Sequence, residues 1–266
     1  MALTGSCETR SVELRSLQKW HGAGNDFLVD VQEPGLTPWW TPERARAVCE
    51  RSSGVGADGL LIALLGSGVS MTLYNADGSL AEMSGNGIRC LAAAVRRSSA
   101  GTWTTLDVRT PAGVKEVTLT MDGSSGWGSV AMGEVTFSDT IGGAFGVANV
   151  GNPHVVVLDD ASWSRADCED LAEKFSAQVG GANVEFLSVL GVDHLSIRVI
   201  ERGVGWTRAC GTGSCAVAAL ARRGGLTGDV VTVENSGGAL RVALNGPLAT
   251  LSGPVQFVAD VEWLDA

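Results

Sequence analysis

SGNGIRCLAAAVRR (residues 84–97) and CGTGSCAVAALARR (residues 210–223) decide how this chain is read, because the first lies on the second at an offset of 126 residues. Gly85, Gly87, Ala92, Ala93, Arg96 and Arg97 each meet their own residue type in the second segment. Shorter pieces match at nearly the same offset: Gly24-Asn25 with Gly151-Asn152, Gly56-Ala57 with Gly181-Ala182, and, more weakly, Gly78 with Gly203. Several matches in one order and one approximate register imply an internal duplication, two copies of one ancestral fold joined around residues 128 to 140.

Around these pieces, short apolar or alternating segments predict strands at Leu60–Leu65, Val69–Tyr74, Thr104–Val108, Lys115–Met121, His154–Leu158, Leu195–Ile200, Val230–Glu234 and Leu240–Leu244, separated by glycine-rich turns. Helices are fewer. One is capped by Thr41, begins at Pro42 and ends before Gly54; others are expected over Gly87–Ser98, Ala166–Gln178 and Gly213–Arg223. This is a strand-rich α+β pattern and not a repeating βαβ one.

Composition narrows the function. The 266 residues carry a formal net charge of -10, which argues against nucleic-acid or anionic-membrane partners, since phosphate binding needs concentrated Lys and Arg. The first sixteen residues read as a polar tail and not a signal peptide, and the apolar run Leu60–Leu65 is too short to span a bilayer, so the expectation is a cytoplasmic protein. Its six cysteines form no C-x-x-C pair and are expected as reduced thiols. His21, His154 and His194 are dispersed, without partners at metal-ligand spacing, so no metal is expected.

In each copy a nucleophilic side chain precedes Gly-x-Gly and a helix of small residues: Ser84-Gly85-Asn86-Gly87 and Cys210-Gly211-Thr212-Gly213. Glycines there let the chain turn tightly and let a ligand approach free N–H groups at a helix N-terminus, where an anion belongs. Two such ends face to face would hold one carboxylate while a side chain from each reached the adjacent carbon. The helix dipole is expected to lower the Cys210 thiol toward neutrality, making it a base. A racemase needs this two-sided layout, because the proton leaves one face of the α-carbon and arrives on the other. The plainer account is an ordinary Gly-x-Gly turn and a small buried cysteine, but duplication of turn and nucleophile together favours chemistry. No cofactor is expected: of the candidate Schiff-base lysines, Lys115 and Lys174 sit in ordinary strand and helix contexts, and only Lys19 stays open.

HGAGNDF (21–27), GVGADG (54–59), NADGSLAEMSGNGIRC (75–90), VGNPH (150–154), GANVEF (181–186) and ERGVGWTRACGTG (201–213) together resemble the ordered signatures of the diaminopimelate epimerase family, from about Leu17 to near the C-terminus. The resemblance implies two pseudo-symmetric halves, each a curved sheet around a central helix. Residues 1–133 would form the N-terminal half, with a final strand over about 255–266 returning to it, and residues 134–254 the C-terminal half. It implies cofactor-independent interconversion of L,L- and meso-diaminopimelate, a small amino-acid substrate, and leaves room for a homodimer. Carried over position by position, Cys210 matches one catalytic cysteine and Ser84 stands where the family has the other. Glu201 and His154 match polar groups beside that pair. Asn25, Asn75, Asn152, Asn183 and Arg202 match substrate-binding positions, with Gly85, Asn86, Gly211 and Thr212 at the two turns, and Arg202 suits a bidentate grip on a distal carboxylate.

Two departures from the family pattern bear on activity. Ser84 offers a hydroxyl, a poor base at neutral pH compared with a thiol. Either it replaces a native cysteine, or the chemistry has shifted toward a dehydratase or isomerase of another amino acid with one competent base; a silent amino-acid-binding relative is the third reading. Trp206 stands where the family motif usually has Glu, and either alters the cleft or packs against the second half.

Overall fold

The structure, a computed structural model, describes residues 13–35 and 38–265. The expected polar tail therefore lies mostly outside the described residues, and its last part, from Glu13, belongs to a strand. Strands β1 (Glu13–Gly22) and β2 (Asn25–Gln32) form an antiparallel hairpin. Its two-residue turn, Ala23-Gly24, has positive φ at both positions, the geometry that matches strand twist. Helix α1 (Pro42–Cys49), whose N-cap Thr41 accepts from the Arg44 N–H, then crosses to β3 (Gly59–Leu64), parallel to β2. Antiparallel β4 (Val69–Asn75) and the short β5 (Leu80–Ala81) lead into α2 (Gly85–Ser98). Next β6 (Thr105–Thr110) pairs parallel with β4, and β7 (Gly113–Asp122) and β8 (Ser125–Glu134) follow as a meander.

After β9 (Thr136–Ser138) the same wiring recurs. The hairpin of β10 (Gly146–Asn149) and β11 (Pro153–Leu158) is joined through α3 (Arg165–Gln178) to β12 (Asn183–Gly191), parallel to β11. Then come antiparallel β13 (His194–Glu201), β14 (Gly205–Thr207) and α4 (Gly211–Arg223). Strand β15 (Val230–Asn235) pairs parallel with β13, and β16 (Gly238–Asn245) and β17 (Leu248–Asp265) complete the run. The duplication legible in the sequence is thus a duplication of strand pairings. The ends are exchanged: β9 pairs with β10, while β17 runs from β16 past β8 and on along β1, as far as Leu14 opposite Leu264.

α2 and α4 are central because they are built of small apolar residues. Every residue of α2 from Gly85 to Val95 is buried, as is nearly all of α4 up to Ala221. Alanine side chains let a curved sheet close around such a helix at ordinary packing density. One large core joins both helices, and smaller clusters lie beneath α1 and α3. Arg96, Arg97, Arg222 and Arg223 in the last turns complement the helix dipoles. Among the described residues no helix is long and apolar enough to cross a membrane.

The strands not expected from the sequence are β1, β2, β5, β8, β9, β10, β12 and β14, and β17 begins at Leu248, ahead of the final strand expected over about 255–266. β8 reads SGWGSVAMGE and looks like a turn, yet two of its glycines are needed in a strand: a methyl group on Gly126 would strike Met121, and one on Gly128 would stand 3.0 Å from Arg89 Cδ. Glu185 breaks the apolar pattern of β12, although its residues 183–187 are all buried. The two central helices begin two residues earlier than expected, at Gly85 and Gly211, so each Gly-x-Gly lies inside the first helical turn. α1 starts at Pro42 with Thr41 as its cap and ends at Cys49, ahead of Gly54, as expected.

Candidate active site

Starting the helices at Gly85 and Gly211 makes Ser84 and Cys210 their N-caps, both with extended backbone. Ser84 Oγ accepts from the Gly87 N–H at 3.0 Å, and Cys210 Sγ accepts from the Gly213 N–H at 3.3 Å. The helices meet N-terminus to N-terminus: a methyl group on Gly211 would lie 3.7 Å from Gly85 Cα and 3.9 Å from the Asn86 nitrogen. Leu251 of β17 wedges beneath both, and a methyl group on Gly85 or Gly211 would come within 2.6 or 2.8 Å of its Cδ2. Glycine suits both positions because a side chain at either would have to push Leu251 aside. Asn86 bridges the junction, its Nδ2 donating to Asn25 Oδ1 at 3.3 Å and to the Ala209 carbonyl at 3.5 Å. Two sets of free N–H groups and two positive dipole ends converge there, a place for an anion.

The surroundings of Cys210 are acidic. Glu201 reaches the thiol and accepts from Thr207 Oγ1 at 2.5 Å; Glu185, on the facing strand, lies against Gly213. His154 is fully buried, with Nδ1 2.7 Å from Glu185 Oε1 and Nε2 3.0 Å from Asn152 Oδ1. Thr212 Oγ1 is 3.5 Å from the sulfur, and Asn183 Nδ2 donates to it at 3.9 Å while Asn183 Oδ1 accepts from the Arg202 N–H. The expectation of a thiol lowered toward neutrality is corrected here. Burial, then the charges of Glu201 and Glu185, push Cys210 well above the ordinary thiol range, and the hydrogen bonds from Thr212 and Gly213 do not offset them. Burial likewise raises Glu201 above the usual carboxylate range. In the free protein Cys210 is therefore held as the protonated thiol.

The remaining expected site residues fall into two groups. Asn25, besides meeting Asn86, donates to Asp58 Oδ2 at 2.7 Å. Asn75 instead donates to Ser79 Oγ within its own turn, at 3.0 Å, and makes no hydrogen bond to Ser84 or Cys210 among the described residues. Arg202 is exposed; its guanidinium donates only to the Gly181 carbonyl, at 3.4 Å, and has no ion-pair partner among the described residues. Lys19, left open as a Schiff-base lysine, is held by Asp26 at 3.1 Å and by the Gly56 carbonyl at 2.6 Å. Trp206 points away from the site. Its neighbour Thr207 faces Glu201, so strand alternation turns the indole to the opposite side, where it stacks on Phe186 and donates to Glu169 at 2.6 Å.

Glu185 and Asn235 were not read from the sequence. Asn235 Oδ1 accepts from the Cys210 N–H at 3.2 Å, holding the residue that caps α4. Glu185 left one signal, an acidic residue two positions after Asn183 and so on the same strand face. The dispersed histidines also concealed a cluster: donor atoms of His154, Glu185 and Cys210 lie within 4.8 Å of one another, so these three could hold a divalent ion. They are far apart in sequence and meet only because β11, β12 and α4 converge.

Two helices held end to end inside duplicated sheets, with a capping side chain from each at one junction, are the arrangement expected of an isomerase that works from both sides of one centre. The diaminopimelate epimerase family profile matches residues 17–138 and 146–258. A diaminopimelate epimerase of Synechococcus elongatus is 39% identical over 84% of this chain and 89% of its own length, and one of Desulforudis audaxviator is 37% identical over 93% and 99%. The chain belongs to the diaminopimelate epimerase family. Its fold is shared at lower identity by a predicted epimerase of Pseudomonas aeruginosa (TM-score 0.75, 16% identity, covering 95% of this chain and all of that one). It is also shared by a hydroxyproline epimerase of Agrobacterium vitis (TM-score 0.73, 15% identity, 96% and 93%).

Proposed function

We propose that this protein interconverts L,L- and meso-diaminopimelate, in the cytoplasm and on the route to lysine, by moving one α-hydrogen between Cys210 on one side and position 84 on the other. The observation that carries this reading is the meeting of α2 and α4 with Ser84 and Cys210 as matched N-caps. The α-carboxylate would lie between the helix ends, touching Gly85, Asn86, Gly211 and Thr212, and the distal carboxylate would meet the unpaired Arg202. The α-ammonium would face Glu185, Glu201 and the amides of Asn152 and Asn183. Its charge would relieve the carboxylate field that holds the thiol protonated, so that substrate itself prepares Cys210 to accept a proton. His154, tied to Glu185 and Asn152, orients this acidic side of the site. Asn25 supports Asn86, and Asn75 would shape the rim of the cleft. The division into halves at 133/134 fits the recurrence of pairings from β10 onward, and a homodimer is compatible with the exposed Leu14 and Leu264, opposite each other on β1 and β17.

Ser84 itself favours a second reading. A hydroxyl donates a proton readily but seldom abstracts one, so the chain as given would exchange the α-hydrogen from one face only, or serve a different one-base isomerase or dehydratase. Incubation with L,L-diaminopimelate in deuterated water separates these. Deuterium uptake with formation of the meso isomer supports two-sided transfer, uptake without inversion supports a one-base site, and neither would refute the substrate assignment. Cys210→Ala should abolish uptake, at least about a hundredfold.

A further inference from the structure

Arg89 takes no part in the proton transfer just described, yet it is the fully buried cation closest to the helix junction. It lies on α2 one turn after Gly85, with Nη1 donating to the Gly85 carbonyl at 2.9 Å and Nη2 to Asn86 Oδ1 at 2.8 Å. Its Nε has no partner, and no carboxylate pairs with it among the described residues. Three strands leave room for it. A methyl group on Gly253 of β17 would stand 2.8 Å from Nη2, one on Gly22 of β1 3.4 Å from the same atom, and Gly128 of β8 faces Cδ. The duplication puts Cys215 at the matching place in α4, so the cation belongs to one half only.

An enclosed guanidinium without an anion is costly. Burial lowers Arg89 to about 10, which still leaves it charged at neutral pH. The cation is bonded to the two residues that begin α2, and the helix N-termini beside them are where an anion fits. Its grip on Asn86 Oδ1 also decides that amide's orientation, sending Nδ2 toward Asn25 and Ala209.

We propose that Arg89 is a positioning residue that supplies the countercharge for the α-carboxylate of the amino-acid substrate, acting through Gly85 and Asn86 without touching the ligand. The proposal rests on the reading of this junction as an amino-acid site. When the α-hydrogen leaves as a proton, the C–H electron pair moves into the carboxylate, and a fixed buried cation favours that more negative state over the ground state. A cation kept for this purpose contributes nothing to folding, which separates it from a structural strut.

Arg89→Met, Arg89→Gln and Arg89→Lys are compared with the parent protein by thermal unfolding and by calorimetric titration with a panel of α-amino acids that includes diaminopimelate. The expected result is a Met variant at least as heat-stable as the parent that binds its amino acid at least about tenfold more weakly, with Lys restoring most of the affinity. Unchanged affinity in the Met and Gln variants would overturn the proposal, as would loss of stability in both. Should the parent bind another amino acid and not diaminopimelate, the substrate reading fails while Arg89 is judged on the amino acid that binds. Binding of none overturns both.

Discussion

Arg202 and Glu201 are adjacent in sequence and opposite in circumstance. Arg202 is exposed with no carboxylate partner among the described residues, so its planar fork, held only by a long bond to the Gly181 carbonyl, is open to a ligand. Arg202→Lys keeps the charge and loses the two-point contact, and the expected outcome is a KM for diaminopimelate raised about tenfold with kcat little changed. An unaltered KM would show that the distal carboxylate binds elsewhere. Glu201 is enclosed beside Cys210, and its charge is one reason the thiol is held up. Glu201→Gln removes that charge, so the Cys210 thiolate should form at lower pH, and alkylation of Cys210 followed by mass spectrometry should show its pH profile displaced downward. Cys90 and Cys215, each pushed up to about 12 by burial, should stay unlabelled in both proteins. The pairing of Ser84 with Cys210 was legible from residue types at matched spacing, and the place of Glu201 beside Cys210 from resemblance. Glu185 was not, because only the parallel pairing of β11 with β12, His154 opposite Asn183, brings its carboxylate to the imidazole.

At the scale of elements, the junction of α2 and α4 sets the spacing of the two caps, and Leu251 sets the spacing of the helices. Gly85→Ala should push Leu251 and Met132 from their places beneath the junction, costing about 1–3 kcal/mol and reducing turnover. Leu251→Ala, which removes the atom that the new methyl group would strike, should recover part of that turnover in the double variant. Additive losses in urea unfolding and activity would mean that the contact is not the constraint. The helices themselves were legible because Gly-x-Gly followed by alanines is a local pattern. The starting residue was not, since a side chain that caps a helix and one that ends a strand look alike until the Gly87 and Gly213 N–H groups are seen to meet them. Strand β8 was hidden for a different reason: its glycines answer to Arg89 and Met121 on other elements, which local propensity does not contain.

Across the whole molecule, duplication explains why each central helix begins at a capping side chain, Ser84 for one and Cys210 for the other. The exchanged ends, β9 on β10 and β17 on β1, knit the two runs of strands so that the caps keep their relation. The repeat at an offset of 126 residues announced this plan, while the return of β17 to β1, expected only through the family resemblance, pairs residues more than two hundred positions apart and left no mark in any short stretch. Symmetry is incomplete in its chemistry, since Ser84 stands where the second half has Cys210, and Arg89 where it has Cys215. The central claim is that position 84 is the second hydrogen-transfer position, and the rate of L,L- to meso-diaminopimelate conversion in Ser84→Cys and the parent protein tests it most directly. The predicted result is a gain of at least about a hundredfold on introducing the thiol, abolished again by Cys210→Ala. A Ser84→Cys protein that folds, binds diaminopimelate and gains no epimerisation would contradict it.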